Sequence, residues 1–537
     1  MSDIEMRTLV GTRRRVRIIF ILLSLGMIGY APEVVAGERS LIASATVAQT
    51  PNSLGSTGEE DAELTAIYTA FGGKPIWTTE AQRRTAASLL ASLQSDGVNT
   101  DRLGTLPKGT RPSRDDADIA ITRSLLRAAH VLTTPLAELS VVPGWSIPAS
   151  APDVAAAFIA TGKSGDFRGL FDLLRPSAPE YQRMSALYLR YLRLADNSWK
   201  PIITASELLL KNGDENTEEV AHRLTVLGDL PDTDRTMSSL KSAVMRFQAR
   251  HGLAVDGRVG AETLAELNVP PAIRAEQIAI NLVYWRLLPR AWPQRYIKIN
   301  TAAANLELIE NGTPAYAMRT IVGDPGHPTP IMSAIISAIT FNPAWTVPLS
   351  IAVNEFLPRL RRNADYLRRN NIVIVGRDSD PFGLELDWRS YTRNYFPFQL
   401  RQLPGSSNAL GGVKFEMPNK FDIYLHDTPE RNLFARPDRA LSHGCVRLEC
   451  ANALAERLVD PKVWLETDLA SALKEHRTVA VKLAQPLPVY LLYFTAFVDG
   501  NGQINFRRDL YGRDAVIRHM MLMTRFQEDT AASLRRQ

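Results

Sequence analysis

The chain has 537 residues, 45% of them hydrophobic and 22% charged, which excludes a disordered polymer and predicts more than one domain, because single cores rarely grow beyond roughly 250–300 residues. A net charge of +5 is mild at this length, and beyond the N-terminus no Lys/Arg run is interleaved with aromatics, so nothing points to nucleic acid. At the N-terminus Arg13, Arg14, Arg15 and Arg17 precede thirteen uncharged, mostly apolar residues, Ile18 to Tyr30. A membrane span needs about 20 apolar residues. Residues 1–36 therefore read as an export signal, with Val34-Val35-Ala36 as its cleavage site, or as an uncleaved anchor, and either places the rest in the periplasm.

Residues 37–60 are a Ser/Thr/Gly/Ala-rich linker. Over 61–216 apolar residues recur at i, i+3, i+4, as in "AQRRTAASLLASLQSDGV", "DIAITRSLLRAAHVLTTPL" and "EYQRMSALYLRYLRLA", which predicts a helical scaffold domain without a catalytic cluster. Residues 217–270 hold three shorter helices, Glu218–Leu227, Ser239–His251 and Gly260–Leu267, punctuated by Gly252 and "VDGRVG". This stretch resembles the small three-helix peptidoglycan-binding domain on Phe247, Gln248, Gly252, Leu253, Asp256, Gly257, Gly260, Thr263 and Leu267. The resemblance implies a tether that holds wall polymer, whose loss weakens sacculus binding more than turnover of small soluble stems.

From Arg295 the texture is β-rich. "RYIKINTAAANLELIENGTPAYAMRTIVG" alternates around Asn311-Gly312, a strong hairpin signal, and Pro343 and Pro348 confine "FNPAWTVPLSI" to an edge or loop. Residues 352–400 turn polar and partly helical, as an insertion does. "ANALAERLV" is a short amphipathic helix, and "LPVYLLYFTAFVDGNGQINFRRDLYG" is read as a final hairpin turning at Asp499–Gly502.

The chemistry concentrates in "DIYLHDTPERNLFARPDRALSHGCVRLEC", Asp422 to Cys450, which contains both cysteines of the chain. A bridge between Cys445 and Cys450 closes a tiny loop and stabilises little, so a free thiol in an exported protein is read as one used as thiolate. His426, nineteen residues before Cys445 on a predicted strand, can take the thiol proton and later return it to a leaving amine. Gly444 permits a tight turn that exposes N–H groups to an oxyanion, and the Arg447 fork suits a carboxylate. H-x-C and C-x₄-C spacings match zinc sites poorly, so no metal and no cofactor is expected.

"YLHDTPERNLFARPDRALSHGCVRL" closely resembles the signature of the L,D-transpeptidases with a YkuD-type catalytic domain, in which a histidine is followed about sixteen residues later by Ser-His-Gly-Cys. "IVGDPGHPTP", "FNPAWTVPLSI", "RQLPG", "NALGGVKFEMPN" and "LPVYLLYFTAFVD" extend the likeness to the large Gram-negative branch of the family. The resemblance implies an α+β multidomain protein: a helical scaffold, a peptidoglycan-binding domain, a mostly-β catalytic domain over 295–485 with a capping insertion at about 352–400, and a C-terminal hairpin and helix over 486–537. It makes Cys445 the nucleophile and His426 its base, oriented by the Asp427 carbonyl. Tyr424 and the N–H groups of Gly444 and Cys445 bound the oxyanion hole; Ser442, His443 and Arg447 shape the pocket. The implied substrate is a peptidoglycan tetrapeptide stem, cross-linked 3→3 through a thioester with release of D-alanine. Carbapenems are the implied covalent inhibitors, other wall-synthesis enzymes are possible partners, and the insertion is a lid. An exported L,D-carboxypeptidase or thiol peptidase, and a non-catalytic wall-binding protein, are the alternatives; the acceptor amine and the role of Cys450 stay open.

Overall fold

The computed structural model describes residues 57–98, 114–134, 141–148, 150–195, 199–204, 207–462, 471, 475 and 477–521; the N-terminal segment lies outside them. Helices α1 (Thr57–Ala70), α2 (Glu80–Ser92), α3 (Arg114–Thr133) and α4 (Val154–Lys163) enclose a core of Ile67, Trp77, Leu125, Leu126, Phe158 and Phe171. Their ends are chemically specified. Thr79 and Gln82 form a reciprocal capping box at α2, and the Asp153 carboxylate caps α4. After α5 (Leu170–Leu174), helix α6 (Pro179–Leu194) starts with proline in its first turn, where a missing N–H costs nothing.

The second helical group is α7 (Glu215–Leu227), α8 (Met237–His251) and α9 (Ala261–Leu267). The first two start a few residues before the predicted positions because Asp214 and Thr236 cap them. Gly252 ends α8 with φ +69°, as a left-handed cap requires. The motif residues converge on Gln248. Its buried amide donates to Asp256 Oδ1 (2.8 Å), the Arg258 carbonyl (2.9 Å) and Thr263 Oγ1 (3.1 Å), and its oxygen accepts the Gly257 N–H at 2.8 Å. One side chain thereby satisfies the turn and ties it to α9.

Helix α10 (Pro271–Leu287), absent from the sequence reading, is buried along most of its length and joins the helical parts to a sheet. That sheet is built from β1 (Trp145–Ser146), β2 (Arg295–Asn300), β3 (Asn305–Glu310), β4 (Thr313–Gly323), β5 (Ile331–Phe341), β9 (Val413–Glu416), β10 (Leu425–His426), β12 (Val446–Leu448) and β13 (Val479–Leu492), with β11 (Ala440–Ser442) paired to β4. Its order is β1-β5-β13-β2-β3-β4-β12-β10-β9, and β9 pairs again with β5, so the strands close into a ring and leave few open edges. Asn311 (φ +51°) and Gly312 (φ +78°) make the two-residue turn between β3 and β4, and the primed geometry is what aligns those strands. Helix α11 (Ala451–Leu458) covers the ring's apolar interior with Ala451, Leu454 and Ala455.

Two readings change. The run Leu487–Leu492 is not an arm of the final hairpin: it lies in β13, antiparallel to β5 and parallel to β2, in the middle of the sheet. Its residues are buried on alternate or successive positions, as a strand covered on both sides requires. The hairpin itself is β14 (Ala496–Val498) and β15 (Ile504–Phe506), turning at Asp499–Gly502. The insertion carries its own three-stranded sheet, β6 (Trp345–Thr346), β8 (Leu400–Gln402) and β7 (Ile372–Ile374), over a core of Val347, Phe356, Leu360, Leu367, Trp388 and Leu400.

The α7–α9 group is not loosely strung. His251 stacks on Phe247 at 3.8 Å and on Phe506 of the hairpin at 5.5 Å; the Arg274 guanidinium covers Phe506 at 4.7 Å, and Arg507 donates to the Arg250 carbonyl at 2.8 Å. Phe506 is 1% exposed, so Phe506→Ala leaves a cavity shared by α6, α8 and the hairpin. The expected loss is about 3–5 kcal/mol. Urea unfolding of the full chain checks it; a loss below 1 kcal/mol contradicts this packing.

Candidate active site

The site rests on a two-residue parallel pairing. Leu425 of β10 aligns with Val446 of β12 and His426 with Arg447, while the Val446 N–H donates to the Tyr424 carbonyl at 3.2 Å. Leu425, Val446 and Leu448 are fully buried in the ring's interior. Side chains alternate across a strand, so Tyr424 and His426 on one strand and Cys445 and Arg447 on the other share the opposite face. Strand β9, antiparallel to β10, sets Lys414 beside His426 in register and Phe415 beside Leu425, which brings Lys414 and Glu416 onto that face too. Three strands thus place imidazole, thiol, phenol, guanidinium and ammonium together.

The imidazole is fixed first. His426 Nδ1 donates to the Asp427 carbonyl at 2.6 Å, which leaves Nε2 with its lone pair. Asp427 is itself held: its N–H donates to the Val413 carbonyl, its carboxylate accepts the Gly412 N–H at 2.8 Å, and Arg431 pairs with the other oxygen. Gly411 (φ +60°) allows this, because a Cβ there would sit 2.3 Å from Asp427 Oδ2. Burial, then the Arg447 charge, push His426 down to about 3, while the Asp427 and Leu410 carbonyls oppose the fall.

Cys445 follows Gly444 at φ +105°, on the turn joining β11 to β12. Burial pushes its thiol up, against the opposing effects of Tyr424, Lys414 and Arg447. Its Sγ lies 3.8 Å from the Asp422 carbonyl. Imidazole and thiol are therefore both neutral at pH 7, a general-base pair rather than a preformed ion pair. Tyr424 is held above its ordinary range mainly by burial; its hydroxyl faces the Cys445 thiol and the Trp345 side chain, its ring lies 5.5 Å from that of His426, and Lys414 sits over it at 4.7 Å.

Three of the expected pocket residues have protein partners in place. The Gly444 N–H points at Ser442 Oγ (3.2 Å), whose hydroxyl donates to the Cys445 carbonyl at 2.5 Å, so Ser442 braces the turn and the Gly444 N–H is engaged. His443 points away, its Nε2 2.8 Å from Glu355 of the insertion. Arg447 is paired with Glu430, an exposed partner that a substrate carboxylate can replace. Cys450 stands apart, exposed at the start of α11 and beside Tyr316. Among the described residues no group of His, Cys, Asp or Glu is arranged to hold a metal ion.

Sequence reasoning missed four supports. Lys414 was readable, since "KFEM" alternates just before the "DIYLH" strand. Thr329, 0% exposed, accepts the Gly323 N–H (2.9 Å) and donates to the Gly444 carbonyl (2.8 Å). Tyr511 donates to the Gly323 carbonyl (2.7 Å) and Arg513 to that of Thr329 (2.8 Å), so the C-terminal segment buttresses the catalytic turn through residues that lie nearly two hundred positions before it in sequence.

The neutral imidazole links folding to pH. Unfolded histidine titrates near 6.5, so below that value the unfolded chain binds a proton that the folded chain takes up only near 3. His426 therefore contributes no penalty above pH 6.5, and stability is lost as pH falls from 6.5 toward 3. His426→Gln should flatten the dependence between pH 7 and 5, by up to about 1.4 kcal/mol per pH unit. Denaturant midpoints of both proteins at several pH values give the difference; equal slopes would refute a buried neutral imidazole.

Residues 294–465 match the family model of the L,D-transpeptidase catalytic domain (YkuD), residues 62–187 that of the scaffold domain, and residues 213–267 that described as "Putative peptidoglycan binding domain". A curated Haemophilus influenzae protein named "Putative L,D-transpeptidase" is 36% identical over 245 residues, 45% of this chain; the chain spans about half (49%) of that relative's length. Among solved structures, an L,D-transpeptidase from Mycobacterium smegmatis is 12% identical, covering 37% of this chain and 58% of that one at a TM-score of 0.17. L,D-transpeptidase 3 from Mycobacterium tuberculosis in complex with a faropenem-derived adduct is 14% identical, covering 37% and 60% at 0.19. Scores this low carry no argument. The family models and the curated relative agree with the motif that runs from His426 to Cys445, and residues 294–465 are an L,D-transpeptidase catalytic domain of the YkuD family, joined to scaffold and peptidoglycan-binding domains.

Proposed function

We propose that the protein is a periplasmic L,D-transpeptidase that forms 3→3 cross-links in peptidoglycan. The observation that carries this reading is the β10–β12 register, which presents the His426 imidazole and the Cys445 thiol on one face. His426 Nε2 takes the Sγ proton as Sγ attacks the carbonyl of the third stem residue, meso-diaminopimelate. The Cys445 N–H and the Tyr424 hydroxyl are the donors for the oxyanion. As the tetrahedral intermediate collapses, the C–N bond to D-alanine breaks, the imidazolium protonates the departing amine, and a thioester remains. The side-chain amine of a second stem then attacks the thioester, gives up its proton through His426 and restores the thiol. Lys414 and Arg447 supply positive charge for stem carboxylates, and the insertion shields the thioester from water. Carbapenems are expected to acylate the same sulfur.

The α7–α9 domain serves this reading as part of the catalytic unit, because His251, Arg250 and Arg274 grip the hairpin that follows β13. Its deletion is expected to cost turnover of soluble stems as well as sacculus binding, in place of the freely tethered behaviour that the resemblance implies.

Tetrapeptide stems incubated with the protein should yield dimers and free D-alanine by mass spectrometry. Tripeptide alone means that water resolves the thioester, as in an L,D-carboxypeptidase. Cys445→Ala should abolish product with the fold intact, whereas Cys450→Ala keeps most activity. His426→Ala should slow carbapenem acylation of Cys445 by roughly 10²–10⁴-fold, a loss that shrinks as pH rises toward the thiol's own range. Normal acylation in His426→Ala would reject the assignment of the base.

A further inference from the structure

The insertion and the catalytic turn meet at His443. This ring, next to Gly444 and Cys445, lies with Nε2 2.8 Å from Glu355 Oε1. Glu355 belongs to a π-turn, Ala352–Phe356, at the entry to the insertion. The wider repeat of a π-turn lets Ala352 and Phe356 enter the insertion's core while Glu355 faces the catalytic turn. One turn on, Arg359 lies 3.4 Å from the other Glu355 oxygen. On its other side, the His443 ring is 4.7 Å from that of His327, whose Nδ1 is 3.1 Å from Asp324 Oδ1. Glu355 and Arg359 from the insertion, and His327 and Asp324 from the β4–β5 turn, are thus the charged and titratable groups facing His443.

We infer that Glu355 is a positioning residue of the active site: through His443 it latches the insertion onto the turn that carries Cys445. The inference rests on the reading of Cys445 as nucleophile and deepens it. Both partners are part-exposed, with side chains 43% and 31% accessible, so the contact is weak enough to open and close during turnover. Firmer seating keeps water from the thioester, and release admits the second stem.

Glu355→Gln keeps the shape and removes the charge. Hydrogen exchange of the full chain, read by mass spectrometry in both proteins at the same pH, tests the latch without relying on turnover. Peptides over 349–360 and 440–446 should exchange about two- to fivefold more slowly in the wild type than in Glu355→Gln, the scale of a part-exposed polar contact. The faster exchange in Glu355→Gln should appear in both segments together. Equal exchange in the two proteins overturns the latch, as does faster exchange confined to only one of the two segments. Carbapenem labelling of Cys445, measured on the same samples, reports on the nucleophile separately: unlabelled wild type rejects the reading of the site, whereas labelling with no exchange difference rejects only the latch.

Discussion

Everything in this site depends on two residues of β10 lying parallel to β12. Parallel neighbours need a long crossover. Here it is the stretch from Asp427 to Ser442, whose Arg431 returns to Asp427 and to the Leu448–Glu449 backbone, while Arg439 reaches the carbonyls of Ala303, Ala304 and Thr320. The spacing between histidine and cysteine is thus the length of a connection. Shifting either strand by one residue would turn His426 or Cys445 into the apolar interior.

The register holds because the sheet closes. β9 contacts both β10 and β5, and β13 fills the gap between β5 and β2. Since β13 comes from the end of the chain, the ring is completed only when that distant segment has folded, and β1 of the scaffold pairs with β5 beside it. Helix α10 carries this coupling: Asn281 exchanges hydrogen bonds with Thr495, and Arg286 reaches the Asp96 carbonyl. Asp96, fully buried, also holds Arg175 and Tyr181. The domains are chemically distinct in sequence and mechanically one in structure.

Much of this was legible from the residues. The Asn311-Gly312 turn, the Gly252 cap and the motif around Cys445 each pair a residue type with a local geometry that only it satisfies well. What was not legible depends on partners far away in sequence. Leu487–Leu492 looks like a hairpin arm because periodicity does not reveal which strand it meets. Thr329, Tyr511 and Arg513 look ordinary until the fold sets them behind the catalytic turn. The motif also implied a Gly444 N–H aimed at substrate, but Ser442 is close enough to accept it. His443 was read as shaping the pocket; its partner came from an insertion whose orientation no local pattern encodes.

The central claim is that burial holds His426 and Cys445 as a neutral pair on one face, so that the thiolate forms only as the proton moves to imidazole. Titrating the ultraviolet absorbance of thiolate in the wild type, with Cys445→Ser as the blank and Cys450 replaced in both, tests it most directly. The account predicts no thiolate from Cys445 until the pH passes the ordinary thiol value of about 8.5. A thiolate step between about pH 4 and 7 that disappears in His426→Ala would show a preformed ion pair, and would contradict the account.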